Sequence, residues 1–274
     1  MGTKGILKVS VKQKGDRTVP DYTFSQGPLR VVRPHYLDNQ GTLTYFMLNP
    51  GGGYLDGDEY QIEALAKRGT RFNLTTQSAT KVYKTPSQPV YQKTLLRAEE
   101  NSLLININDP IIVYKDGSYI QEQEVHLHAG ASFMNSEIIT PGWDPEQKGF
   151  SYQLIDLKSK IYVDSQLISM DRLYLSPGQM QVGSFGRLEG HSKLATISLI
   201  APPYDTERIS LLHDYLQRKF PNLYFGISLL PINGYTIRAL ANQTQDLEAL
   251  VRTCYFDLLQ EEDPGAHIPL FRKY

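Results

Sequence analysis

Chemically capable residues are concentrated in two places in the sequence. The first is Asn49-Pro50-Gly51-Gly52-Gly53-Tyr54-Leu55-Asp56-Gly57-Asp58, which combines glycines with acids. Glycine runs let backbone amides converge on an anion, but a phosphate loop needs a following Lys-Ser/Thr and a helix, and neither follows here. The plainer alternative is a sharp turn between strands that requires positive φ or close backbone approach. Asp56, Asp58 and Glu59 could also form an acidic rim for a divalent cation, provided their oxygens converge in space. The second place is Glu122, Glu124, His126 and His128, alternate residues that share one face if Tyr119–His128 is a strand. Two imidazoles and two carboxylates suit a borderline metal such as zinc or nickel. Against this stands the plain polar side of a strand whose other face carries Val125 and Leu127.

Signatures of catalysis are missing. No Gly-x-Ser-x-Gly, His-Glu-x-x-His or dinucleotide fingerprint is present. His35, His191, His213 and His267 are scattered, and the single cysteine, Cys254, falls on an apolar helical stripe, where free cysteines are usually core. Residues two apart on a strand lie about 7 Å apart, so Glu122 and Glu124 keep open an all-β carbohydrate-active enzyme acting by inversion. His126 and His128 keep open a nickel-storage protein.

The elements that must hold these residues are strands first and helices last. Leu7, Val9 and Val11 alternate with Lys8, Ser10 and Lys12, and Leu103, Ile105 and Ile107 alternate less cleanly with Leu104, Asn106 and Asn108. Strand-like runs follow at Thr42–Leu48, Lys81–Lys84, Ile111–Tyr114, Tyr119–Leu127, Phe150–Leu157, Ile161–Val163 and Lys193–Ile200, separated by Gly, Pro, Asn and Asp turns. Two helices are expected, Thr206–Phe220 capped by Asp205 or Thr206, and Thr244–Leu259. Between them Asn233-Gly234 marks a hairpin joining Leu223–Leu230 to Tyr235–Ala241. No fixed-length repeat stands out. The expected fold is all-β with a small α+β C-terminal part, in one domain over 1–274: a strand-rich body to about 201 and a helix-containing part over about 202–274.

Composition narrows the partners. The 274 residues carry 28 Lys and Arg against 29 Asp and Glu, a net charge of −1, which argues against wrapping nucleic acid or coating an anionic membrane. No apolar run reaches the roughly 18 residues of a membrane span. The amino terminus lacks a signal-peptide pattern, and Ile6 stands where a myristoylation signal wants Ser or Thr. One cysteine forms no internal disulfide. The expected compartment is cytoplasmic.

Longer motifs add a resemblance. Asn49-Pro50-Gly51-Gly52-Gly53 with Gly57-Asp58, and Thr75-Thr76-Gln77-Ser78-Ala79-Thr80-Lys81-Val82-Tyr83-Lys84, resemble the signatures of the urease accessory protein UreD family (UreH in some bacteria). Gln26-Gly27-Pro28-Leu29-Arg30-Val31 is similar to an early family element, with Gln26 replacing its usual acid. Ser136-Glu137-Ile138-Ile139-Thr140-Pro141-Gly142-Trp143 is similar to versions from Gram-positive bacteria, and Asp171-Arg172-Leu173 to a later, less specific element. The resemblance implies a layered, β-helix-like stack of short strands with two helices. It implies no enzyme, and no cofactor bound tightly. The implied function is a scaffold that binds urease apoprotein and a UreF-type partner, reaches a UreG-type GTPase through that partner, and passes nickel in transit through an internal water-filled passage. By motif match, the passage candidates are Asp58, Glu59, Glu137 and Asp171. Asp56 ranks below them because many members carry glycine there. Exposed apolar patches on the C-terminal helices are the expected partner surfaces.

Overall fold

The computed structural model describes residues 2–144, 149–202 and 204–260; His267 and the rest of 261–274 lie outside the described residues. Its elements run β1 (Lys4–Lys14), β2 (Arg17–Gln26), β3 (Arg30–Val31), β4 (His35–Tyr36), β5 (Leu43–Leu48), β6 (Glu59–Ala66), β7 (Arg71–Thr76), β8 (Thr80–Val82) and β9 (Val90–Ala98). They continue through β10 (Leu103–Ile107), β11 (Ile111–Val113), β12 (Ser118–Leu127), β13 (Ser132–Pro141), β14 (Leu154–Val163), β15 (Gln166–Leu175) and β16 (Lys193–Ile200). The chain then forms α1 (Thr206–Lys219), β17 (Tyr224–Leu229), β18 (Gly234–Ala241) and α2 (Thr244–Leu259).

The strands form two sheets. The first is ordered β15-β14-β12-β9-β6-β1-β2, and the second β17-β18-β16-β13-β10-β7-β5-β3, with β4, β8 and β11 attached beside that path. The chain alternates between sheets, so consecutive strands within each are largely parallel, as in a β-solenoid. In the first sheet residues 59, 91 and 120 are neighbours; in the second, 43, 72, 104 and 133. Each of these coils takes 29 to 32 residues. That repeat is geometric and leaves no repeated sequence, since each coil needs only matching alternation and not matching side chains.

Apolar side chains hold the layers together. Leu7, Leu96, Phe72, Phe133, Val125 and Ile155 fill the space between the sheets. A second core lies between the outer face of the second sheet and the helices, where Ile105, Ile197 and Ile237 meet Leu212, Leu216, Leu250 and Cys254. Covered on both faces, β10 buries all of Leu103, Leu104, Ile105, Asn106 and Ile107. Its sequence alternation was unclean for that reason.

The helices and hairpin match the sequence expectation. Asp205 Oδ1 accepts from Arg208 N at 2.8 Å and caps α1. Residues 150–153, expected within a strand, precede one: β14 begins at Leu154 and runs unbroken to Val163, merging two expected runs. Strands β2, β3, β4, β6, β7, β9, β13 and β15 were not among the expected runs. Phe133 is completely buried between the sheets. Phe133→Ala is expected to cost about 3–5 kcal/mol of unfolding free energy, read as a lower urea midpoint by circular dichroism.

Candidate functional site: a polar layer between the sheets

The inward faces of both sheets change character midway along the strands. One row on the first sheet is apolar: Val9, Ala64, Leu96, Val125 and Ile161 stand side by side. The next row passes from Leu7 and Ile62 into Thr94, Gln123, Ser159 and Asp171. The row after that carries Tyr60, Gln92, Gln121, Leu157 and Leu173. The second sheet follows the same plan. Leu43, Phe72, Leu104, Phe133 and Ile200 form an apolar row. Beside it stand Asn106, Asn135, Ser198 and Thr236, and then Glu137, Thr196 and Arg238. A polar layer therefore crosses the interior perpendicular to the strands.

Within this layer lies a cavity of about 80 Å³, walled by Thr76, Gln92, Thr94, Asn106, Asn108, Asp109, Gln121, Gln123 and Glu137. A water needs roughly 10–15 Å³ of such space, so several fit. Its amides are chained together. Tyr54 Oη donates to Gln92 Oε1 at 2.9 Å, Gln92 Nε2 donates to Gln121 Oε1 at 3.3 Å, and Tyr119 Oη donates to the same oxygen at 2.9 Å. Gln121 Nε2 then donates to Glu137 Oε1. Other polar atoms stay open: Gln123 Nε2, Asn135 Oδ1 and Thr236 Oγ1 are buried with no hydrogen-bond partner among the described residues. Buried polar atoms are rarely left so unless water or an ion serves them.

Glu137 and Asp109 are the carboxylates on this wall. Burial pushes Glu137 up to about 7, against the Gln121 hydrogen bond, and the nearby charge of Asp171 adds to the rise. The Glu137 side chain is half-buried and lines the cavity. The phenols of Tyr54, Tyr60 and Tyr119 are held far above their usual range, chiefly by burial. They act in the layer as neutral hydrogen-bond donors.

One end of the cavity is built from the two long motifs, and they touch. Tyr54 N donates to Lys81 O at 2.7 Å and Tyr83 N to Tyr54 O at 3.0 Å. A Cβ on Gly53 would stand 2.8 Å from Lys81 O and 2.4 Å from the Tyr83 ring, so only glycine fits this approach. Asn49 Oδ1 accepts from Gly51 N at 3.1 Å, turning the chain after Pro50. Asn49, Gly52, Gly53, Ser78, Ala79, Thr80 and Lys81 form the mouth. Gln77 N donates to Met47 O at 2.9 Å, while Thr76 and Asp109 exchange hydrogen bonds at 2.9 and 2.8 Å. The glycine-rich run is thus a strand-to-strand turn, with positive φ at Gly52 and Gly57.

The other residues singled out by sequence divide. Asp58 is buried, and its carboxylate accepts from Thr3 N at 2.7 Å, Leu55 N at 2.9 Å and Tyr60 Oη at 2.8 Å. Its oxygens are occupied in fastening the first strand to the turn beneath the mouth. Asp56 accepts from Ser87 N and Gln88 N at 2.8 and 2.9 Å, which lowers its pKa. Glu59 is exposed and pairs with Lys4. Asp171 stands at the far end of the layer, bonded to Arg238. Glu122, Glu124 and His126 lie on the outer face of β12. Glu122 accepts from Tyr91 Oη at 2.8 Å, His126 stacks on Tyr162 beside Glu124, and His128 turns to Asp164. Among the described residues no group of three or more His, Cys, Asp or Glu could hold a metal ion. Cys254 is wholly buried, its thiol pushed up to about 12 by desolvation.

Sequence reasoning missed Gln92, Thr94, Gln121, Gln123, Asn106, Asn135 and Arg238. A signal existed in Tyr119-x-Gln121-x-Gln123-x-Val125-x-Leu127, where two amides sit in the apolar phase of a strand.

Fold and site together define a β-solenoid-like protein organised round a polar internal layer. Comparison with known proteins carries this further. Residues 3–270 match the family model described as UreD urease accessory protein. The chain is 36% identical over 251 residues to the urease accessory protein UreD of Lachnoclostridium phytofermentans, covering 92% of each. It is 36% identical to that of Actinomyces naeslundii over the full length of both, and 32% identical to that of Bacillus cereus over 98% of each. The chain belongs to the UreD urease accessory protein family, and its role lies in urease maturation. Among the described residues no helix is long and apolar enough to cross a membrane.

Two outcomes follow for stability. Asp58→Ala is expected to lose about 2–4 kcal/mol, because it strands three donors, with Asp58→Asn losing less in the same urea titration. Glu137 has a folded pKa of about 7 against an ordinary 4.5, so the folded state binds more protons in that window. Stability is therefore expected to fall as pH rises from about 4.5 through 7, by at most about 3 kcal/mol. Glu137→Gln should flatten that part of a melting-temperature profile.

Proposed function

We propose that the chain is a non-enzymatic scaffold and conduit in urease maturation, binding the urease apoprotein and a UreF-type partner and passing nickel through its polar layer. The UreG-type GTPase would dock through the UreF-type partner and supply the nickel. The observation that carries this reading is the amide-lined cavity between the sheets, which has Glu137 on its wall.

The donor set suits transit. Carboxylate, amide and hydroxyl oxygens bind nickel weakly beside thiolate or imidazole. A conduit has to attract an ion and still let it go. Glu137 provides attraction once deprotonated, and Gln121 orients it. Asp171 is the second acidic station, while Asp58 and Asp56 keep the mouth in shape and Glu59 lies on the surface beside it. Nickel is cargo in this scheme and no resident cofactor is required.

Exposed Leu211 and Tyr215 on α1 and Tyr224 and Leu229 on β17 supply the apolar surface for partners. Co-expression with a UreF-type protein is expected to give a stable complex that co-purifies with urease; failure to co-purify would contradict the scaffold half. In that complex Glu137→Gln should leave assembly intact while lowering nickel loading and urease activity by about tenfold, the effect of losing about 1.4 kcal/mol of attraction. Unchanged nickel content would remove the conduit half.

A further inference from the structure

The end of the polar layer away from the glycine-rich mouth is closed by charge and not by apolar side chains. On the second sheet Glu137, Thr196 and Arg238 stand abreast on β13, β16 and β18. On the first sheet Gln123, Ser159 and Asp171 stand abreast on β12, β14 and β15. Gln123 and Glu137 wall the cavity, and two strand spacings, roughly 10 Å, separate Glu137 from Arg238. There Arg238 Nη2 bridges the sheets, donating to Asp171 Oδ1 at 2.7 Å and to Oδ2 at 2.8 Å.

The residues around this closure are partly exposed. Thr196, Ser198, Thr236 and Ser159 point inward from their strands and yet are only half-buried, whereas Ile161 and Ile200 one row below are buried. The Arg238 and Asp171 side chains are 43% and 36% exposed. An exposed pair of this kind contributes little stability, so opening it costs little.

We propose that the Arg238–Asp171 pair is an electrostatic gate on the passage. The inference rests on the conduit reading above. In the closed state the guanidinium occupies both Asp171 oxygens and places a positive charge across the route of a dication. Withdrawal of Arg238 removes that repulsion and frees Asp171 as an oxygen ligand. The freed carboxylate and Glu137 already sense each other's charge, and a dication between them relieves that repulsion. Arg238 thereby acts as a positioning residue: it sets when Asp171 is available without itself binding metal.

The test uses the full chain in complex with its maturation partners and apo-urease, with nickel(II) as the probe and metal content of urease over time as the readout. Arg238→Gln and Arg238→Met, two neutral replacements, are expected to speed nickel loading several-fold. Asp171→Asn, which leaves the arginine charge unbalanced in the route, should slow it several-fold. Arg238→Lys should load close to the unaltered rate. A mere structural clasp predicts the same direction of change for Arg238→Gln and Asp171→Asn, with matching losses in melting temperature, and that result overturns the gate. Glu137→Gln separates the two levels. If it slows loading while the Arg238 and Asp171 variants move together, only the gate falls. If Glu137→Gln changes nothing, the conduit reading itself has failed.

Discussion

Amides buried between two sheets have to be satisfied by one another or by water, and the rest of the structure is arranged around that requirement. Leaving a polar group dry and unpaired costs more than most single contacts return. Gln92, Gln121 and Glu137 meet it by chaining from one sheet to the other, with Tyr54 and Tyr119 donating from the side. Such a chain works only when the sheets hold a constant separation and the strands a constant register. The apolar rows beside it on the two sheets, Phe72 to Phe133 and Leu96 to Val125, supply that rigidity. The solenoid stack is a good frame for this purpose. Parallel coils repeat the same inward positions, so a polar position on one coil lines up with those of the next.

Charge is used sparingly within the layer. Most of its groups are neutral, and its ionisable members are set apart: Glu137 in the middle wall, Asp109 tied to Thr76, and Asp171 held by Arg238 at the edge. Desolvation makes a buried carboxylate reluctant to ionise, which moderates its hold on any cation at neutral pH. The long motifs serve this layer indirectly. Their glycines and Asn49 allow the β5–β6 turn to lie against β8, and Asp58 clasps the amino-terminal strand beneath. A motif that looks chemical in the sequence is in large part architectural in the fold.

Much of the fold was legible. Both helices, the Asn233-Gly234 hairpin and β16 were plain because alternation, helical stripes and capping residues are local signals. β9 and β15 were not, since Val90–Ala98 and Gln166–Leu175 mix polar and apolar residues on the face that meets the other sheet; β6 was overlooked although Tyr60, Ile62, Ala64 and Ala66 alternate cleanly. The site was legible only in part. Glu137 and Asp171 came from motif likeness, and their placement in one layer depends on strand registers that no local pattern encodes. Arg238 was invisible, because an arginine near the chain's end reads as surface until β18 is seen to face β15. The outer acids and histidines of β12 drew attention for the opposite reason: alternation places them on one face but does not say which face matters.

A wet interior is the claim on which the account turns. The direct measurement is a high-resolution crystal structure of the protein in its complex, with anomalous scattering recorded after exposure to nickel. The account predicts ordered waters on Gln123 Nε2, Asn135 Oδ1 and Thr236 Oγ1, and an anomalous peak beside Glu137. A layer in which those atoms pair directly with protein groups, with no water and no metal between the sheets, would contradict it.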